Sequence, residues 1–169
     1  MKHFLLLFSM FFIISCSDDS DGDMMPVDPI PEDPISEDPK TFETWTGDLI
    51  TFSKAAETDP TQAENQDQIT GSVAITRGNN GGEIYNILQE SGATQGSSPA
   101  GTLWAQGEIE NVADLTFVSF RSAVGSPKQV VGKNLVMYIE QEDVYLSVKF
   151  LSWGENKSGS FSYERSTED

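Results

Sequence analysis

A chain of 169 residues has room for one modest folded domain, and 27 Asp and Glu against 10 Lys and Arg give it a formal charge of -17. That balance excludes unassisted binding to nucleic acid, because counterion release from phosphates needs clustered bases. A single cysteine and a single histidine exclude an internal disulfide and a multi-Cys zinc site, and a hydrophobic fraction of 37% suits a water-exposed domain rather than a polytopic membrane protein.

Lys2 and His3 precede an apolar run from Phe4 to Ile14 that only Ser9 interrupts. Eleven residues are too few to cross ~30 Å of hydrocarbon, so residues 1–15 read as a secretory signal peptide that is removed. Its end, Ile13-Ile14-Ser15-Cys16, resembles the lipobox of bacterial lipoproteins, in which a small residue precedes the cysteine that becomes the new N-terminus. The resemblance implies lipidation of Cys16. A thiolate is the strongest side-chain nucleophile available for a thioether to diacylglycerol, and two or more acyl chains give stable membrane anchoring. Ile13 and Ile14 depart from the usual pattern, and cleavage as an ordinary secretory signal is the alternative.

Residues 16–40 follow as the lipidated cysteine and a linker. The acidic run Ser17-Asp18-Asp19-Ser20-Asp21-Gly22-Asp23 resembles the export signal of surface lipoproteins of the Bacteroidetes type, which implies an outer-membrane protein facing the cell exterior. Pro26, Pro29, Pro31, Pro34 and Pro39 alternate with acids, so this stretch is expected to be an extended, self-repelling stalk.

Residues 41–169 hold all three tryptophans and all four tyrosines, and are the expected globular domain. With 18 acids and eight bases it stands at -10 by itself. In chain order, strands are predicted at residues 49–54, 71–76, 83–88, 115–120, 135–140, 143–153 and 160–165. Residues 143–153 show the clearest alternation: Val144, Leu146, Val148 and Phe150 on a core face, Tyr145, Ser147, Lys149 and Leu151 on the other. Residues 135–140 and 143–153 read as a hairpin turning near Gln141 and Glu142. Turn-rich segments separate the strands at 77–82, 92–101, 125–127 and 154–159, and Asp59-Pro60-Thr61 starts either one short helix or a set of Asx turns. About seven or more short strands with little helix predict an all-β fold, an antiparallel β-sandwich, with the jelly roll as one arrangement open to it.

Removal of the leader removes His3, the sole imidazole, and lipidation consumes the sole thiol. Ser-His-Asp and Cys-His catalysis then have no members, nor do the usual zinc, copper and haem sites. Carboxylate chemistry remains, and a glycosidase needs two acids flanking the bond. Glu83, Glu90, Glu108, Glu140, Glu142 and Asp143 lie on or near strands without a diagnostic spacing, so the expectation is no catalytic residue and no enzyme. Calcium is the one cofactor the composition admits, through Asp59, Glu64, Asn65 and Asp67. Asx turns in solvent account for the same residues. An aromatic platform for sugar rings has Tyr145, Trp153 and Trp104 as its candidates, each of which also reads as core.

Several motifs are similar to a module of secreted and surface proteins of marine and environmental bacteria: Trp45-Thr46-Gly47, the segments 64–70 and 76–82, Trp104-Ala105, the run 143–150 with Ser152-Trp153, and the closing segment 161–167. The resemblance spans nearly the whole domain. It implies an extracellular β-rich module and names no ligand. The expected function is therefore non-catalytic binding, of a glycan or in adhesion, by a module held on the membrane. The alternatives are an accessory subunit of an envelope complex and a small carboxylate-dependent glycan-active enzyme.

Overall fold

The computed structural model describes residues 41–169. Residues 1–40, where the sequence leads one to expect a signal peptide, a lipidated Cys16 and a proline stalk, lie outside the described residues. Within them, the run with the strongest alternation forms the longest strand, β8 (Val144–Trp153), and nine strands form in all. The others are β1 (Glu43–Trp45), β2 (Ile50–Lys54), β3 (Asp67–Gln68), β4 (Ala74–Arg77), β5 (Ile84–Asn86), β6 (Thr102–Gln106), β7 (Asn134–Ile139) and β9 (Phe161–Arg165). One short α-helix, α1 (Phe120–Val124), and three short 3₁₀ segments complete the regular structure.

The larger sheet runs β2-β9-β8-β7-β6 and the smaller one β3-β4-β5, with antiparallel pairing throughout both. β1 adds one parallel contact, lying beside Val144–Leu146 at the start of β8 while β9 pairs with its far half. Val73, Ile75 and Ile84 of the smaller sheet share one buried cluster with Leu135, Met137, Leu146 and Phe150 of the larger, and α1 adds Phe120 and Val124. The two sheets thus face each other across one core, which makes the domain all-β and sandwich-like. It is not a jelly roll, because β6, β7, β8 and β9 follow one another as neighbours in a single sheet rather than crossing between two.

Three differences from the sequence reading have local causes. Residues 115–120 do not make a strand. Val118 pairs only with Trp104 across the edge of β6, Ser119 then caps α1 by accepting from the Ser122 amide, and Phe120 is already helical. Next, the outer face of β7 and β8 is not bare, because Val136 and Tyr145 are covered by Val112 with Phe42 and Phe117 packed against them. Finally, an extra residue at Leu151 breaks the β8–β9 register, with Phe150 opposite Tyr163 but Ser152 opposite Ser162 and Trp153 opposite Phe161. Such a bulge reverses the alternation beyond it. Trp153 therefore sits on the core side with Phe150 and Phe161, not on the side of Tyr145.

Candidate functional site

β4 ends in Arg77, and the turn that follows needs glycine: Gly81 and Gly82 have φ of +91° and +101°. Across from it, the loop between β8 and β9 approaches backbone to backbone. Gly159 has φ +69°, and a Cβ there would meet the Gly78 carbonyl oxygen at 2.9 Å. These two loops, with the turn after α1, surround a cleft of about 410 Å³ at one end of the sandwich. The segments are those that the glycine, asparagine and proline content at 77–82, 125–127 and 154–159 marks as turns.

Charge is distributed unevenly over the domain. Four of its eight bases, Arg77, Arg121, Lys128 and Lys157, line this single cleft, with Glu83 and Glu155 as acids there. Arg77 is only 4% exposed. Its Nε donates to the Gly82 carbonyl at 3.2 Å and its Nη1 to the carbonyls of Gly154 and Ser160, both at 2.9 Å, while Nη2 has no acceptor among the described residues. The guanidinium carbon stands 3.9 Å from the centre of the Trp153 ring, a cation–π contact made possible by the bulge that turns the indole inward. Burial holds Arg77 down to about 10.

Behind it lies Lys54, 2% exposed, whose Nζ donates to Asn79 Oδ1 at 3.0 Å and to the Gly159 carbonyl at 3.4 Å. Burial, followed by the charge of Arg77, keeps its pKa below the usual lysine value, and the more remote Asp59 works the other way. Neither Lys54 nor Arg77 has a carboxylate at ion-pair distance among the described residues. Buried charges normally are paired. Two adjacent buried cations held by carbonyls, an amide and a ring give this end of an acidic domain a local positive field aimed at the cleft.

On the opposite wall, α1 presents Arg121, whose Nε donates to Glu83 Oε1 at 2.6 Å. The Gly96 amide donates to the same oxygen at 3.1 Å. Nη1 and Nη2 of Arg121 have no acceptor among the described residues, and Lys128 and Lys157 are exposed at the rim. The arrangement can therefore offer unused guanidinium donors and two ammonium groups to one anionic group, next to a half-buried indole.

Of the three aromatic candidates, only Trp153 lines the cleft. Trp104 has no exposed surface, donates from Nε1 to Thr102 Oγ1 at 3.0 Å, and meets Phe120 at 5.0 Å between centroids, so no ring face is open to a sugar. Tyr145 is 5% exposed, stacked on Tyr138 at 4.5 Å and edged by Phe42 and Phe117, so it too is packing.

The calcium set does not converge. Asp59 accepts from the Thr61 amide at 2.9 Å and the Thr61 hydroxyl at 2.8 Å, and these bonds, the amide first, hold it below the usual carboxylate range. Asn65 donates to the Asp59 carbonyl at 2.8 Å, closing the turn, and Glu64 points to solvent in a 3₁₀ turn. Asp67 is buried and committed to Arg165 and Tyr163. Among the described residues no group of three or more His, Cys, Asp or Glu is placed to hold a metal ion.

Of the six acids weighed for hydrolysis, Glu140, Glu142 and Asp143 share the turn between β7 and β8, and Glu83, Glu90 and Glu108 lie elsewhere. Glu90 accepts from the amides of Asn86 and Ala100, Glu142 from Ser72 and Asp143 from Tyr138, and of the six only Glu83 lines the cleft. Sequence reasoning missed the four-base cleft, since Arg77 and Lys157 stand far apart in the chain. The available signal was that three of the four bases adjoin turn segments. No helix among the described residues is long and apolar enough to cross a membrane. Compared with known proteins, the chain matches no family model, no curated protein and no solved structure.

Proposed function

We propose that the protein is a non-catalytic surface module, lipid-anchored through Cys16 and raised on its acidic stalk, that binds an acidic glycan in the cleft beside Arg77 and Trp153. One observation carries this reading: Arg77 is a buried cation with no carboxylate at ion-pair distance among the described residues, and it lines a cleft that gathers half of the domain's bases. Removing such a charge from water costs several kcal/mol, and an incoming carboxylate or sulfate supplies the missing partner. A free anion would satisfy the charge alone. The Trp153 indole beside it adds the apolar surface that a sugar ring packs against, which favours a glycan over a bare ion.

The negative charge elsewhere on the domain supports selectivity, since a polyanion is repelled everywhere except at this end. The experiment is a glycan array probed with the protein at low and at high salt. Retention of acidic glycans that weakens with salt, with neutral glycans not retained, is the expected result. Retention of none sinks the reading, and release of reducing ends from a bound polymer replaces it with an enzyme.

A further inference from the structure

Glu83 follows the Gly81-Gly82 turn directly, is 1% exposed, and lines the cleft. Its two oxygens are used unequally. Oε1 accepts from both Arg121 and the Gly96 amide, whereas Oε2 is buried and has no hydrogen-bond donor among the described residues. Buried side-chain oxygens are nearly always satisfied, and a carboxylate has room for donors on both atoms. Leaving one without a donor is costly, the more so for a charged group.

Arg121 holds Oε1 and lines the cleft beside Glu83. Arg121 comes from a helix of five residues and its side chain is 36% exposed. We infer that Glu83 is a specificity-determining acceptor for a ligand hydroxyl, an inference that rests on the acidic-glycan reading above. The acidic group of the ligand attracts the unused Nη nitrogens of Arg121, and a small turn of that exposed side chain uncovers Oε2. A hydroxyl on the same sugar ring as the acidic group then donates to it. A ligand with the acid but no hydroxyl satisfies the guanidinium and leaves Oε2 without a donor. The substrate class is thus a hydroxylated sugar acid, carrying carboxylate or sulfate, rather than any polyanion. Because Oε2 already lacks a donor in the free protein, a bare polyanion gains less rather than losing a bond, so discrimination is moderate compared with sites that must break one.

Isothermal titration with four polymers tests this. Polygalacturonate and dextran sulfate carry hydroxyls on the rings that bear their acids, while polyacrylate and poly(vinyl sulfate) carry the same acids without hydroxyls. At equal ionic strength, the hydroxylated member of the preferred pair should bind at least tenfold more tightly than its bare counterpart, and the preferred pair identifies carboxylate or sulfate. Glu83→Gln keeps an oxygen for Arg121 and places an amide donor where Oε2 was, so it should bring that ratio close to one. Equal affinities within both pairs, or a preference that Glu83→Gln leaves intact, overturn the role of Glu83 while the acidic-glycan reading stands. Failure of all four to bind overturns both. The wild-type ratio alone decides where the variant does not fold.

Discussion

Two arginines of the domain are buried to the same degree, Arg165 at 5% exposure and Arg77 at 4%, yet their surroundings are opposite. Arg165 holds both oxygens of Asp67, at 2.7 and 3.0 Å, and the Tyr163 hydroxyl donates to the same carboxylate at 2.6 Å. Burial alone works to lower Arg165, but the hydrogen bonds and charge of Asp67 outweigh it and hold the guanidinium above its ordinary value. Arg77 has carbonyls and an indole and is pulled down to about 10. A buried cation that the protein itself completes is structure, here a staple from β9 to β3 that joins the two sheets. One without a carboxylate among the described residues is, in the proposed function, the place for a ligand.

The comparison breaks most visibly at the staple. Asp67→Ala strands Arg165 in the core and should cost about 3–5 kcal/mol in urea unfolding, with no specific change in acidic-glycan affinity at temperatures where the variant is folded. Arg77→Gln should invert that pattern. It removes the charge together with its desolvation, so the stability loss should be smaller, about 1–3 kcal/mol from the carbonyls it served, while glycan affinity falls at least tenfold by titration, about 1.4 kcal/mol.

Alkaline pH should reach the staple late, after Arg77 at the cleft. The Tyr163 hydroxyl lies well above its ordinary value, because of burial first and then the charge and hydrogen bond of Asp67. Tyr138 is pushed up to about 12, chiefly by its hydrogen bond to Asp143, and burial raises Tyr85 and Tyr145. With all four phenols raised in the folded state, the native protein holds protons that the unfolded chain has released above about pH 10. The stability they contribute is therefore complete below pH 10 and declines as pH rises beyond it. Absorbance at 295 nm should show phenolate appearing late and together with unfolding, and a separate early phase near pH 10 would contradict the raised position of these phenols. The smallest effect belongs to the rim, where Lys128→Ala or Lys157→Ala should weaken glycan binding by about 0.2–1 kcal/mol and lose even that at high salt.

How much of this was readable in the chain follows from its physics. Alternation found β2, β7, β8 and β9, because strands of five to ten residues with one buried face carry a period of two. It found neither β1 nor β3, which at three and two residues are too short to show any period, nor β6, whose Leu103, Trp104 and Ala105 stand side by side instead of alternating with polar residues. The all-β class was legible from turn spacing, but the direction of the Trp153 ring was not, since a single extra residue at Leu151 reverses it and leaves no trace in composition. Trp104 and Tyr145 fit a platform pattern on paper because aromatic residues look alike in core and site until burial separates them. Asp67 looked like a calcium ligand for a similar reason, and only the fold brings it to Arg165, 98 positions away. The cleft was half-legible: its loops were visible as turns, while the gathering of bases from four separate segments is a tertiary fact.

The most direct measurement is equilibrium dialysis of an acidic oligosaccharide against the wild-type protein and against Arg77→Gln, both checked for folding by thermal melting. The account predicts saturable uptake by the wild type, lost when only this guanidinium is removed. Equal uptake by the two folded proteins, or none by the wild type, would contradict the claim that the uncompensated cation beside Trp153 is the ligand's anchor.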